Sequence, residues 1–355
     1  MNAATWAGRR VLVTGHTGFK GSWLSLWLES LGARVTGLAL APETEPALFD
    51  VLGLGTRLHD HRADVRDPAA VARVFDACRP EVVFHLAAQA LVRDSYREPV
   101  ATFATNVMGT AHVLEAARRC DSLRAVVVAT SDKCYENDET GRAFREGDPL
   151  GGRDPYSASK AGAELVAASW RASFPGTSCA ALATVRAGNV IGGGDWARDR
   201  IVPDLVRGFA AGQPVPIRNP RAVRPWQHVL EPLAGYLRVA EVLLEGGADC
   251  ATAWNFGPDA AGALPVAELV AQAAARWGDG AQWTHDAEPQ PHEARLLQLD
   301  SARARTRLGW VPRWTTGRAI DETIDWYRAH QRGADMRAYS LAQIHRYLET
   351  LDVAA

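Results

Sequence analysis

The stretch RVLVTGHTGFKG, Arg10 to Gly21, decides the fold. Its first five residues read as a buried strand. Glycines stand at Gly15, Gly18 and Gly21, and a helical pattern over Phe19 to Ser30 starts among them. Glycine permits a tight turn and lets backbone N–H groups approach an anion at a helix N-terminus. On the first strand of an alternating chain, that placement suits a dinucleotide pyrophosphate, with Gly15, Thr17, Gly18, Phe19, Lys20 and Gly21 as the candidate cradle. The spacing is GxxGxxG, so the loop alone also fits an ordinary strand-to-helix turn.

Beyond this loop, apolar runs alternate with helical patterns. RVTGLAL is a second strand, and a looser segment spans 41–55. Asp67-Pro68 caps and opens a helix to Cys78. EVVFHLA, RAVVVAT and SCAALATVR are further strands, separated by long helices over 99–119 and 155–174. Strands joined by helices imply right-handed crossovers, a parallel sheet and burial on both faces. The expected fold is α/β, a doubly wound parallel sheet over residues 1–190 with later segments possibly returning to it. Past Gly192, glycine, proline, arginine and tryptophan thicken, and helices at 201–211, 230–244, 265–277 and 317–329 have few strands between them. Residues 191–355 therefore read as mainly a smaller substrate-binding lobe with C-terminal helices.

Composition narrows the function classes. The formal net charge is -2 over 355 residues with both signs mixed, which argues against nucleic acid as the main partner. No run approaches the roughly 20 apolar residues of a membrane span, and no apolar leader precedes the first strand. The five cysteines form no CxxC pair, which suggests reduced thiols and a cytoplasmic location. Cys134 reads either as a reactive thiol or as a small packed side chain. The ten histidines show no metal-ligand spacing, so no metal is expected.

Two further motifs carry chemistry. DPYSASKAGAEL places Tyr156 and Lys160 four apart, on one helix face. An ammonium near a phenol lowers the phenol pKa, giving a base for a secondary alcohol. TSDKCYEN, 130–137, places Thr130 at a strand end and an acid and an amine, Asp132 and Lys133, just past it. That pair is either a solvated turn or an acid and a base.

Glycine loop, strand-end threonine and YxxxK in this order resemble the extended short-chain dehydrogenase/reductase superfamily, over nearly the whole chain. The segments TGHTGFKGSWLSLWL, TSDKCYEN, DPLGGRDPYSASKAGAEL, RAGNVIGGGDW, RPWQHVLEPL and PHEARLLQLD resemble its nucleotide-sugar 4,6-dehydratases, in the branch acting on a cytidine-linked hexose. Thymidine-linked relatives carry Asp-Glu where this chain has Asp132-Lys133. The resemblance implies a lyase with retained NAD, a CDP-hexose substrate and a homodimer or higher homo-oligomer through the helices at 99–119 and 155–174. It implies Thr130, Tyr156 and Lys160 for oxidation at C4, Lys133 as base at C5 and Asp132 as acid at C6. Ala87 and Gln89 would lie against the cofactor, Arg93 and Tyr96 against the sugar. Arg186 would meet the substrate, Asn189 and Arg224 its diphosphate, and Glu293 with Arg295 the nucleotide end. The second strand lacks the usual acid for the adenosine ribose, so NAD against NADP stays open there. Asp64, with Val65, either meets the adenine edge or caps a turn. Trp196 and Trp226 fall in substrate-side loops, where they could pack on a base or sugar. A nucleotide-sugar 4-epimerase would need no Asp132-Lys133 pair, and an NAD-binding sensor would need only the glycine loop.

Overall fold

The computed structural model describes residues 2–137, 139–174, 180–259, 262–286 and 297–350. Seven strands build its main sheet: β1 (Arg10–Thr14), β2 (Arg34–Ala39), β3 (His59–Arg62), β4 (Val82–His85), β5 (Ala125–Ala129), β6 (Ala181–Ala187) and β7 (Ala253–Phe256). All pairings are parallel, in the order β7-β6-β5-β4-β1-β2-β3. The order reverses between β1 and β4, and a doubly wound sheet opens its crevice outside the carboxyl ends of the strands at that point. The chain returns late to the sheet to add β7, beyond the point where the sequence pattern changes.

Six helices flank the sheet or frame its crevice: α1 (Phe19–Ser30), α2 (Pro68–Cys78), α3 (Gly109–Arg118), α4 (Pro155–Ser173), α5 (Ile201–Ala210) and α6 (Leu230–Leu244). Strand alternation assigns the layers. Val11, Val13, Phe84 and Val127 face a core shared with α1 and α6. Leu12, Val83, Val126 and Val128 face the opposite core with α2, α3 and α4. Asp67 caps α2 as expected, accepting hydrogen bonds from the N–H groups of Ala69 and Ala70.

The helix expected over 99–119 is continuous but uneven. Pro99–Phe103 is α-helical, Ala104–Met108 is π-helical, and α3 comes next. π-turns often mark functional sites. Here Asn106, on that turn, accepts from the Gln89 N–H and donates to Ser159 Oγ on α4. The segment at 41–55 is less loose than expected: Leu48–Val51 is a helical turn whose Leu48 and Phe49 are buried.

Past β6 the chain also builds α5, α7 (Val266–Trp277) and two short strand pairs, Val215–Ile217 with Trp283–His285 and Val223–Pro225 with Ala263–Pro265. Beyond these run α8 (Thr316–Gln331) and α9 (Met336–Glu349). The last helix comes back onto α1, where Tyr347 meets Trp27 edge-on and Arg337 pairs with Glu29. Among the described residues no helix is long and apolar enough to cross a membrane.

Candidate active site

The glycine loop closes on itself. A Cβ at Gly21 would lie 2.1 Å from the Gly15 carbonyl oxygen, and one at Gly15, where φ is +75°, would lie 2.7 Å from the Ala87 nitrogen. No other residue fits either position. The loop delivers the N-terminus of α1, whose first N–H groups have no intrahelical acceptor. That cradle fits a pyrophosphate. Thr17 Oγ1 donates to the Leu40 carbonyl and ties the loop to the end of β2. β2 carries no acid for a ribose; the nearby Asp60 of β3 accepts from His16 of the loop at 2.9 Å and from Arg62, tying the loop to β3. Asp64 accepts three hydrogen bonds from Arg66, so its carboxylate closes a local turn. The adjacent Val65 is buried and packs beside Gly109 of α3. Ala87 donates its N–H to Thr14, while the Gln89 side chain turns inward to Leu91 and Thr102.

The reacting groups gather where β5, β6 and α4 converge, in a cavity roofed by α5 and the short strand pairs. Lys20, Asp132, Lys133, Tyr156, Asn189 and Arg224 all line it. Arg93 and Tyr96 border it from the β4 side. Asp132 is buried; its Oδ1 accepts from Ser131 Oγ and stands 3.8 Å from Lys133 Nζ, while its Oδ2 has no hydrogen-bond partner. Asn189 likewise carries an unpartnered amide oxygen. A buried polar atom without a partner is expensive unless a ligand completes it.

Three expectations need correction. First, Thr130 and Ser131 both line the cavity, but it is Ser131 whose hydroxyl draws the Tyr156 phenol pKa down. Thr130 instead donates to Glu164 Oε1 at 2.5 Å. Consecutive residues of an extended chain point to opposite sides, so one step in register exchanges the two hydroxyls. Second, Arg186 does not reach the cavity. It is 3% exposed, binds both oxygens of Glu164 at 2.8–2.9 Å and donates to Tyr135 and the Glu146 carbonyl. A guanidinium so saturated has nothing left for a substrate. Third, burial pushes the Tyr156 phenol above its ordinary pKa; Lys133, rather than Lys160, is the lysine drawing it down. Lys160 Nζ donates to the Ala129 carbonyl, and burial lowers its pKa to about 8.

Other expectations resolve plainly. Cys134 is fully buried, and burial raises its thiol well above the usual range, so it is packing rather than a nucleophile. Trp226 lines the cavity; Trp196 instead packs against Trp326, Tyr327 and His330. Glu293 and Arg295 lie outside the described residues. Sequence reasoning missed Ser131, Glu164 and the Asp195–Arg200 ion pair (2.8 Å) on the cavity wall. Glu164 had a signal: it continues the Tyr156–Lys160 stripe by one more step of four.

The family model described as GDP-mannose 4,6 dehydratase matches residues 12–323. A CDP-glucose 4,6-dehydratase of Salmonella typhimurium is 49% identical over 348 residues, covering 97% of each chain. A dTDP-glucose 4,6-dehydratase of Xanthomonas campestris pv. campestris is 29% identical, covering 92% of this chain and 94% of that one. Among solved structures, UDP-glucose 4-epimerase of Thermus thermophilus in complex with NAD matches at TM-score 0.78 and 26% identity, over 90% of this chain and 99% of that one. DesIV, a dTDP-glucose 4,6-dehydratase of Streptomyces venezuelae with NAD bound, matches at TM-score 0.77 and 25% identity, over 92% and 98%. Epimerase and dehydratase share the fold equally, so side chains must separate them. On the match from Leu12 to Thr323, the chain belongs to the GDP-mannose 4,6-dehydratase family of extended short-chain dehydrogenases/reductases.

Proposed function

We propose that the protein is a lyase that dehydrates a nucleotide hexose, converting CDP-D-glucose to CDP-4-keto-6-deoxy-D-glucose with a retained NAD. The observation that carries this reading is the Asp132–Lys133 pair on the cavity wall beside Tyr156. An epimerase has no use for an acid and a base beyond its tyrosine. The 49% identity with a CDP-glucose enzyme, against 29% with a thymidine-linked one, supports the cytidine base.

NAD, when bound, would be held at the glycine loop and would supply the hydride chemistry at C4 and C6. The chain's own groups do the rest. Tyr156, whose phenol pKa Lys133 and Ser131 draw down, takes the proton of the C4 hydroxyl. The C4 ketone acidifies the C5 proton, which passes to Lys133 Nζ. The C5–H electron pair forms the C5=C6 bond as the C6–O bond breaks. Asp132, whose Oδ2 is unpartnered, gives the departing hydroxyl its proton, and water leaves; when C6 is reduced, the Lys133 ammonium returns its proton to C5. Arg224 and Asn189 face the diphosphate, Arg93 and Tyr96 the sugar side. Lys160 and the loop residues Gly15 to Gly21 hold the cofactor side, with Ala87 and Val65 behind them. A homodimer would cover Val100, Phe103, Met108 and Leu165, which are 41–80% exposed on the helices before and within α3 and α4.

The test is incubation with CDP-, dTDP-, UDP- and GDP-glucose. A 4-keto product, read by its absorbance in alkali, is expected with CDP-glucose. A C4 epimer instead would make the protein an epimerase; bound NAD with no turnover on any of the four would make it a sensor.

A further inference from the structure

The chain contains 36 arginines and only three lysines, Lys20, Lys133 and Lys160. Wherever a plain cation serves, it uses arginine. All three lysines come together in one place. Lys20 and Lys133 line the cavity, and Lys160 lies one helical turn behind Tyr156. Arginine stays protonated in proteins, whereas lysine changes protonation readily when buried or crowded. A composition this skewed, ending in one cavity, marks a site that needs amines rather than charges.

Lys133 and Lys160 already have chemical work. Lys20 enters the glycine loop through its backbone, but its side chain points into the substrate cavity. Among the described residues, none accepts a hydrogen bond from its Nζ and no carboxylate pairs with it. The other cations there are engaged: Arg200 with Asp195 at 2.8 Å, Lys160 with the Ala129 carbonyl at 3.3 Å, and Lys133 with Asp132 at 3.8 Å. We propose that Lys20 is a positioning residue for the elimination step, the second amine that lets Lys133 serve as a base beside Asp132.

The inference rests on the dehydratase reading and answers its hardest demand. An ionised Asp132 favours the ammonium at Lys133, which cannot take the C5 proton; the elimination starts from the arrangement with that proton on Asp132 and the Lys133 amine free. One carboxylate cannot balance two nearby amines. Desolvation lowers the Lys20 amine to about 8, and Arg200, Lys160 and Lys133 push it the same way, against Asp132. The repulsion is mutual, so a positive charge at Lys20 disfavours one at Lys133. The other groups facing them are Tyr156 and Lys160 from α4, Asp195, Asp199, Arg200 and Asp204 around the start of α5, Arg93, Arg218 and Arg224 across the cavity, and the neutralised Glu164–Arg186 pair behind Thr130.

The test uses the full chain in two ways. With three lysines, selective ¹³Cε labelling gives three resonances, assigned by single replacements. In Lys20→Met the Lys133 midpoint rises by about one pH unit or more, the scale that a like charge in one site sets. In Lys20→Arg, a fixed cation, it stays at or below that of the unsubstituted protein. With NAD and CDP-glucose, the acid limb of keto-sugar formation moves with it. Lys20→Gln repeats the test should Lys20→Met not fold. A Lys133 midpoint unmoved by removing the Lys20 charge overturns the inference. Failure of the unsubstituted protein to form any keto sugar overturns the dehydratase reading instead, while the NMR titration still reports the coupling.

Discussion

Two acid–base pairs sit on either side of the turn after β5, and they are opposites. Glu164 and Arg186 are 1% and 3% exposed, with both carboxylate oxygens and the guanidinium fully engaged by each other and by Thr130, Thr184 and Tyr135. Asp132 is equally buried, but one of its oxygens has no partner, and Lys133 opens to the cavity at 3.8 Å. A saturated buried pair rigidifies its surroundings; a half-satisfied one is costly and persists where chemistry uses it. Hydrogen-bond saturation, more than residue type, separates scaffold from reagent here.

Lys133 puts this contrast at greatest risk. Lys133→Ala should lower keto-sugar formation by about 10³-fold, roughly 4 kcal/mol, while CDP-glucose still reduces bound NAD, seen as absorbance at the NADH band. Asp132→Asn should behave alike. Normal turnover in Lys133→Ala would remove it as the base. The scaffold pair predicts the opposite pattern. Arg186→Met leaves a buried carboxylate without its cation and should cost about 3–5 kcal/mol in denaturant unfolding.

That variant also carries a sign. Burial pushes the Glu164 carboxyl up, but the Arg186 hydrogen bonds outweigh it and the net shift is downward. A lowered carboxylate contributes stability above its unfolded value, about 4.3, and loses it as pH falls through the folded one. Without Arg186, burial outweighs the remaining Thr130 and Thr184 hydrogen bonds and the folded pKa rises. Stability should then fall as pH climbs from about 4 to 7, inverting the slope of the unfolding midpoint. An unchanged slope would mean that another cation replaces Arg186.

The frame of this site was legible because periodicity and caps are local. Strand alternation, the Asp67 cap and the α1 span all arise from neighbours in sequence. Saturation is not local. Arg186 on β6 meets Glu164 on α4 and Tyr135 past β5, so its exclusion from the cavity depends on three elements meeting. β7 escaped for a related reason: AWNF is a four-residue run whose partner, β6, lies about seventy positions earlier. Lys20 was legible as part of the loop, but nothing local says that its side chain faces the substrate. The Thr130–Ser131 exchange is a different failure. Spacing finds the strand end to within a residue, and in an extended chain one residue is the difference between two faces.

That exchange gives the weakest effects and the finest test of the contrast between the pairs. Ser131→Ala removes a hydroxyl from the open side. It should slow the oxidation step by roughly ten- to a hundredfold, about 1.4–2.7 kcal/mol, because it takes away a hydroxyl that draws the Tyr156 phenol pKa down. The unfolding midpoint should hardly move, since Asp132 Oδ1 keeps Lys133 nearby. Thr130→Val removes a hydroxyl from the closed side at nearly constant volume. Glu164 Oε1 then loses one donor but keeps the Arg186 Nε at 2.9 Å, so the cost should be about 1–2 kcal/mol of stability. Its rate per folded molecule should exceed that of Ser131→Ala. Stopped-flow reduction of NAD and thermal unfolding, run on both variants, read the two effects separately. A reversal, with Thr130→Val slow and Ser131→Ala unstable, would return the reacting hydroxyl to Thr130 and exchange the roles of the two pairs' neighbours.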